Sequence, residues 1–334
     1  IGFESTAHYA LNLELFLENA HHSFMEVNPV LIKEYKKSTT LRRTKTDSVD
    51  CESIARWLIT VEYKPHSKGF YHAYSLKSLT RLRDRLIRQR SFYLVKITNV
   101  LDHTFPEFKP FFNERLSKTA LYLLENYGSA EKMARMNSAS YDKLRCISRG
   151  KFSIQQFLRL KELAANTVGV NNSIFDLELN TLLTLYKSLS DEINTLETEI
   201  IKLIEEVHPH YMSIPGIGPI SAAVIYAEYG DISNFSNPSQ MLAFAGIEPG
   251  INDSGTESHG GRMVKHGSSQ LRYVLLNACL PLIRFDLTFA TYYEKKRAEG
   301  KKHRVAITHV AKKLIRVIYA LERQDVDFNA QKLR

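Results

Sequence analysis

Residues 214–231 read IPGIGPISAAVIYAEYGD, and residues 244–272 read FAGIEPGINDSGTESHGGRMVKHGSSQLR. Gly216 and Gly218 flank Ile217 directly after Pro215. Glycine tolerates positive φ at little steric cost, so such a turn can press its backbone N–H groups against an anion. Ile220, Ala223, Val224 and Ala227 recur at helical spacing, which predicts a helix beginning beside the glycines. The N-terminus of that helix adds about half a positive charge at the same spot. Downstream lie a Ser-Gly turn and then Arg262, Lys265, His266 and Arg272. A plain tight turn between packed helices would use the same glycines. The basic cluster tips the reading toward phosphate.

Working outward, the hairpin resembles a helix-hairpin-helix element. Before it, Phe175, Leu179, Leu182, Tyr186, Leu189, Ile193, Leu196, Ile200, Leu203 and Val207 alternate steps of four and three. That spacing predicts a coiled coil over 173–209. A partner within the chain would satisfy it, but the expectation is a seam that joins copies into a homo-oligomer, dimer or tetramer. From Ser75 to Leu101 a long helix carries Leu76, Leu79, Leu82, Leu86, Tyr93, Ile97 and Val100 on one side. Arg81, Arg83, Arg85, Arg88, Arg90 and Lys96 cover much of the rest. Such a helix can pack by one face and lie along phosphates by another, with Arg81, Arg85 and Arg88 as the contacts. A solvated charged face is the alternative. Residues 102–172 read as irregular helix, broken near Pro106, Pro110, Gly128 and Gly150, and carry no assignable role. Beyond the central stretch, Leu271–Ile283 is a buried helix interrupted at Pro281. A basic loop comes next around Gly300 (Lys295, Lys296, Arg297, Lys301, Lys302, His303, Arg304). The last helix turns Val310, Leu314, Val317, Ile318 and Leu321 inward.

At the other end, IGFES is a strand end carrying Glu4, Tyr9–Asn19 a helix, and SFMEVNP a second strand stopped by Pro29. A helix then runs into a basic loop (Lys36, Lys37, Arg42, Arg43, Lys45), and another opens at Thr46 or Asp47. Asp47 and Asp50 project from one face of its first turn. With Glu4 they make an oxygen donor set suited to hard divalent cations. Capping accounts for the two aspartates equally well. Alternating strands and helices argue for an α/β unit, here shorter than a complete one.

The balance of 45 Lys and Arg against 36 Asp and Glu leaves a net charge of +9 and suggests a polyanionic partner. Cys51, Cys146 and Cys279 are too scattered for a zinc framework, which fits a reducing, cytoplasmic compartment. No apolar run reaches the length of a membrane span, so no membrane partner is expected.

Taken together in order, these motifs resemble the DEDD transposases of bacterial insertion sequences, whose known members are bridge-RNA-guided recombinases. FESTAHY (3–9) is similar to the family's second acidic motif and RTKTDSVDCESIA (43–55) to the motif with its third and fourth acids. IPGIGPISAA, FAGIEPGINDSG, HGSSQLRYVLLNAC and GKKHRVAITHVAKKLIRVIYAL come in the order of the family's C-terminal transposase domain. The resemblance covers nearly the whole chain. It implies α/β plus α architecture: a RuvC-like (RNase H-like) domain over 1–65, a helical basic region over 66–172, the coiled coil, and a mainly helical C-terminal domain over 210–325. The family's first acid would precede Glu4, and no residue here takes its place, so the expectation is an N-terminally truncated RuvC-like domain. Carried over by position, Glu4, Asp47 and Asp50 become Mg²⁺ ligands and Ser254 a nucleophile that joins DNA covalently. Donor and target DNA, a non-coding guide RNA and further copies of the chain are the implied partners, in the bacterial cytoplasm at the nucleoid.

A serine hydroxyl is a weak nucleophile without a base or metal, and Asn-Asp-Ser-Gly is also an ordinary exposed turn. Gly216, Gly218, Arg262, Lys265, His266 and Arg272 are the expected phosphate contacts around Ser254. Ser268 and Ser269 compete as nucleophiles, but read as caps at a helix start. Two rival functions stay open: a non-enzymatic nucleic-acid-binding coiled-coil protein, and a RuvC-type metal-dependent nuclease in which Ser254 is structural.

Overall fold

The computed structural model describes residues 1–5, 8–39, 46–62, 70–113, 116–254 and 257–333. They form two compact units, Ile1–Phe70 and Tyr71–Arg334.

The first unit is a small β-α-β layer. Strand β1 (Gly2–Glu4) pairs in parallel with β2 (Met25–Val27), and helix α1 (His8–Asn19) makes the crossover. The register sets Phe3 beside Glu26 and Glu4 beside Val27. Phe3 stacks on Phe24 with ring centroids 5.7 Å apart. Helices α2 (Pro29–Thr39) and α3 (Asp47–Thr60) come next, and α3 packs on both α2 and β1. Thr46 caps α3, its hydroxyl accepting from the Val49 amide at 3.4 Å. A Cβ on Gly2 would fall 2.2 Å from Leu58 Cδ1, so α3 covers the sheet face that Gly2 occupies. Glu4, two residues on, shares that face by strand alternation.

The second unit hangs on two helices of 35 residues, α4 (Phe70–Thr104) and α10 (Ser173–Val207). Arg83 on α4 meets Glu197 on α10 at 2.8 Å, and His103 stacks on Phe175 at 6.0 Å. The 20 residues between the α4 contacts match the 22 between those on α10, so the helices run antiparallel, side by side over about 30 Å. Between those contacts Leu86, Arg90 and Tyr93 on one helix and Tyr186 and Leu189 on the other are half-buried.

A hydrophobic core sits at each end. The first gathers Ile97 and Leu101 of α4 and Leu179 and Leu183 of α10 with the short helices α5 (Phe108–Phe111), α6 (Lys118–Tyr127), α7 (Ala130–Ala134), α8 (Ser138–Ile147) and α9 (Ile154–Ala165). Ser117, Ser129, Asn137 and Ser153 cap α6 to α9, which is why so broken a sequence still folds as helix. The second core gathers Leu76 of α4 and Ile200 and Ile204 of α10. Around them pack α11 (Pro219–Tyr229), α12 (Pro238–Ala245), α13 (Ser269–Phe285), α14 (Leu287–Ala298) and α15 (His303–Gln324). An antiparallel ribbon, β3 (Pro249–Ser254) and β4 (Glu257–Met263), lies between α12 and α13 in the chain. All five residues expected to face inward on α15 are buried.

The heptad seam of α10 contributes to both cores within this chain, Leu179 and Leu183 to one and Ile200 and Ile204 to the other, as the alternative of a partner within the chain allowed. Two expectations change. Helix α13 runs through Pro281 without the interruption expected there. The missing amide costs a hydrogen bond, but the ring packs against Gly216, whose Cβ position lies 2.7 Å from Pro281 Cγ. The domain read as mainly helical also contains the β3–β4 ribbon, which the sequence pattern did not announce.

Candidate nucleic-acid interface

The chain leaves α10 through His208 at φ +44 and enters a tight helical turn, His210–Ser213. This turn is fastened to the end of α15. His210 Nδ1 lies 2.9 Å from Asp327 and Nε2 2.9 Å from Asp325, and these bonds, Asp327 first, raise the imidazole above its ordinary range. The Tyr211 amide donates to Glu322 at 3.2 Å, and the Phe328 amide donates to Ser213 Oγ at 2.8 Å. The glycine hairpin is therefore presented from a fixed base.

The two glycines of the hairpin do different work. Gly216 stands at φ +95 against Pro281 and the Ala278 carbonyl, which would lie 3.1 Å from a Cβ. It lets the turn dock on α13. Gly218 is exposed, with nothing within 4 Å of its Cβ position, and is the N-cap of α11 without a side-chain cap. Pro219 at the first helical position has no amide to satisfy. The open, uncapped end of this element is at Gly218.

A second pair of glycines locks the basic loop. Gly246 (φ +65) would set a Cβ 2.6 Å from the His266 carbonyl oxygen, and Gly267 (φ +126) one 2.1 Å from that of Phe244. Two backbone segments thus cross in direct contact, which only glycine permits. Arg272 Nη1 donates to the Ala245 carbonyl at 3.0 Å, and Ser268 caps α13 by accepting from the Leu271 amide at 3.2 Å. Arg272 is thus occupied in holding the loop, while Lys265 and His266 are exposed. Sequence reasoning missed Gly246 and Gly267, although a glycine directly after a helix and another directly before a Ser cap were signals available to it.

The ribbon starts where the Val264 amide donates to the Glu248 carbonyl at 2.9 Å. Pairing proceeds from Pro249↔Met263 to Ser254↔Glu257, with an irregularity between Pro249 and Ile251. Ser254 is the last residue of its strand, at the far end of the ribbon. The side chains of Ser254 and Arg262 lie outside the described residues.

On α4 the expected phosphate contacts divide. Arg81 Nε and Nη2 bind the buried Glu228 of α11 at 3.0 and 3.2 Å, with Lys77 at 3.8 Å. A carboxylate out of water needs such partners, so Arg81 bolts α4 to α11 rather than facing solvent freely. Arg88 pairs with Asp84 at 2.8 Å, and Asp84 accepts from Gln270 at 3.3 Å. Arg85 is exposed along the same helix and takes no part in either contact.

In the first unit, Asp47 is exposed in the opening turn of α3 and Asp50 is ion-paired with Lys36. Among the described residues no three His, Cys, Asp or Glu side chains gather closely enough to hold a metal. Glu4, Asp47 and Asp50 are therefore not a formed Mg²⁺ site here, and the lysine on Asp50 neutralises a charge that a cation would need. Arg42, Arg43 and Lys45 lie outside the described residues. No helix among the described residues is by itself long and apolar enough to cross a membrane.

Comparison with known proteins gives two family matches. Residues 1–106 match the DEDD transposase family of IS110 type, and residues 209–294 match the family described as Transposase IS116/IS110/IS902. An uncharacterized 43.6 kDa protein of insertion element IS110 from Streptomyces coelicolor is 27% identical over 71% of this chain and 60% of its own length. An uncharacterized 42 kDa protein of insertion element IS900 from Mycobacterium paratuberculosis is 28% identical over 84% of the chain and 71% of its own. The transposase of insertion sequence element IS1111A from Coxiella burnetii is 25% identical over 77% and 59%. Against the first and third of these the matched stretch spans about three fifths of the relative's length.

Proposed function

We propose, for a chain that belongs to the IS110 family of insertion-sequence transposases, that it cuts and rejoins DNA through Ser254. The observation that carries this reading is the placing of Ser254 at the far end of a two-stranded ribbon whose base is locked by the Gly246–Gly267 crossing. In this reading the end of the ribbon meets a backbone phosphate. Lys265 and His266, beside the locked base of the ribbon, and the α11 terminus at Gly218 supply positive charge and donors for phosphates farther along the backbone. In the first step the Ser254 Oγ–P bond forms, the P–O bond to one DNA strand breaks, and the released strand oxygen takes a proton. Attack by a hydroxyl from the second DNA reverses the step and frees Ser254.

Guidance by a non-coding RNA, held in part by α4 arginines such as Arg85, belongs to the same reading, as does assembly of several copies. Glu4, Asp47 and Asp50 offer the oxygen donors that suit Mg²⁺, but they are not gathered to ligand distance, so no step is routed through the metal.

The test uses wild type and Ser254→Ala with Mg²⁺, RNA and labelled donor and target duplexes, run on a denaturing gel. The expected result is a covalent protein–DNA adduct in wild type that vanishes in the variant, while duplex affinity changes less than about twofold. An adduct that survives Ser254→Ala overturns the assignment. Cleavage without an adduct, lost in Asp47→Ala, would make the protein a metal-dependent nuclease with a structural serine.

A further inference from the structure

The hairpin between α14 and α15 carries the densest positive charge outside the interface described above. Lys295, Arg297, Lys301, Lys302, His303 and Arg304 are all exposed around Gly300. Glu299 is the one acid in the tip; it is held by Lys296 at 2.9 Å and cannot neutralise the rest.

Half of this charge has an ordinary explanation. Lys295, Lys296 and Arg297 occupy the last turn of α14, where cations complement the helix dipole. The other half does not. Lys301, Lys302, His303 and Arg304 crowd the start of α15, the end that disfavours cations. That end has no acid in its first turn and no side-chain cap. A 22-residue helix with so well buried an apolar face does not need this arrangement to form. Local conflict of this kind marks a surface whose charge is completed by a partner.

The tip is also built to keep its form. Tyr293 OH lies 2.7 Å from His303 Nδ1, tying the last turns of α14 to the first turn of α15. Lys296 lies over Tyr292 at 5.5 Å and Lys313 over the same ring at 5.3 Å. Further along α15, burial depresses the His309 pKa, and Lys312, Lys296 and Lys301 depress it further. The lysines of both helices thus act on one region of the surface.

We propose that this tip is a second, sequence-independent clamp on the phosphate backbone of a DNA duplex. The proposal rests on the recombinase reading for its choice of partner, and the structure sets the spacing. Lys312 lies near Glu248, at the base of the Ser254 ribbon. On the same helix Arg304, at the tip, is eight residues from Lys312, about 12 Å away and about a third of a turn of B-DNA. A single-stranded partner would need open aromatic faces for its bases to stack on. Here Tyr292 is roofed by two lysines and Tyr293 is bonded to His303. Phosphates spaced along a rigid duplex fit the tip better.

The test measures binding of the full chain to a 30-bp duplex of arbitrary sequence across a salt series. Wild type is compared with a Lys301→Ala, Lys302→Ala, Arg304→Ala triple variant and with Lys301→Arg, Lys302→Arg. The triple variant should bind on the order of tenfold or more weakly, with the log–log salt slope lower by about 2.7, while the arginine variant keeps wild-type values. Unaltered helicity and thermal midpoint exclude misfolding. An unchanged affinity and slope in the triple variant overturns the clamp, as does a loss confined to an RNA hairpin offered in place of the duplex. Ser254→Ala should bind with the wild-type slope. If it also retains the adduct while the triple variant has lost binding, the serine reading fails and the clamp stands.

Discussion

Glu14 lies on α1 with 2% of its surface exposed, and burial pushes its carboxyl up to about 7, with Glu26 and then Glu18 adding to the effect. The folded state therefore holds a proton that the unfolded chain releases near 4.5. By linkage, this contribution is intact below the unfolded pKa and is lost as pH rises through the folded value. Glu14→Gln should leave stability at pH 4.5 nearly unchanged and raise it at pH 8 by on the order of 2 kcal/mol. The single tryptophan, Trp57, lies on α3 of the same unit, so the denaturant midpoint of its fluorescence at the two pH values is the measurement. Sequence reasoning did not single out Glu14, although Ala10, Glu14 and Leu17 fall on one helical face. What the spacing did not contain was the approach of Glu26 from β2, which depends on strand pairing across the crossover. Arg81 is similar: its charge was plain in the sequence, but its use on Glu228 depends on a contact 147 residues away.

Among the elements, the glycine hairpin divides into a half that packs and a half that is open. Gly216→Ala forces a Cβ against Pro281 and the Ala278 carbonyl at positive φ, and should destabilise the second unit by about 2–4 kcal/mol, read from its thermal midpoint. Gly218→Ala meets nothing within 4 Å in a conformation any residue adopts, so the fold should hold to within about 0.5 kcal/mol. Duplex affinity should nevertheless fall several-fold in the Gly218 variant, because a methyl group would stand where a phosphate approaches. Equal effects of the two changes on stability would contradict this division. The hairpin, α10 and α15 could be read in advance because each carries a long period or a paired glycine signal. The β3–β4 ribbon could not. Its strands are short and rich in Gly, Asn and Ser, and their pairing depends on how the Gly246–Gly267 crossing brings their ends together.

Across the second unit as a whole, among the described residues α4 and α10 run between the two cores, and one ion pair, Arg83–Glu197, is partly shielded between them. The heptad spacing of α10 was visible, but its partner was not, because the α4 seam mixes arginines with its leucines. Removing seven residues from each helix at matched levels (87–93 and 186–192) should leave both cores folded, with helicity per residue and duplex binding close to wild type. Loss of the cooperative transition of either core would show that the middle of the pair contributes more than spacing.

The antiparallel pair has a further consequence, one of rotation rather than support. Each residue along an α-helix advances about 1.5 Å and turns about 100°. Two cores threaded on the same helices are therefore set like hands on one spindle, and their relative bearing is written in the number of residues between them. A seven-residue excision brings the ends about 10 Å closer and disturbs the bearing by only about 20°. Loss of one residue from each helix would barely shorten the spindle, but would swing whatever the first core holds about 100° around from what the second holds. Chain length between Leu86 and Ile97 is thus a setting of azimuth, and insertions or deletions there should be tolerated in sevens and not in ones.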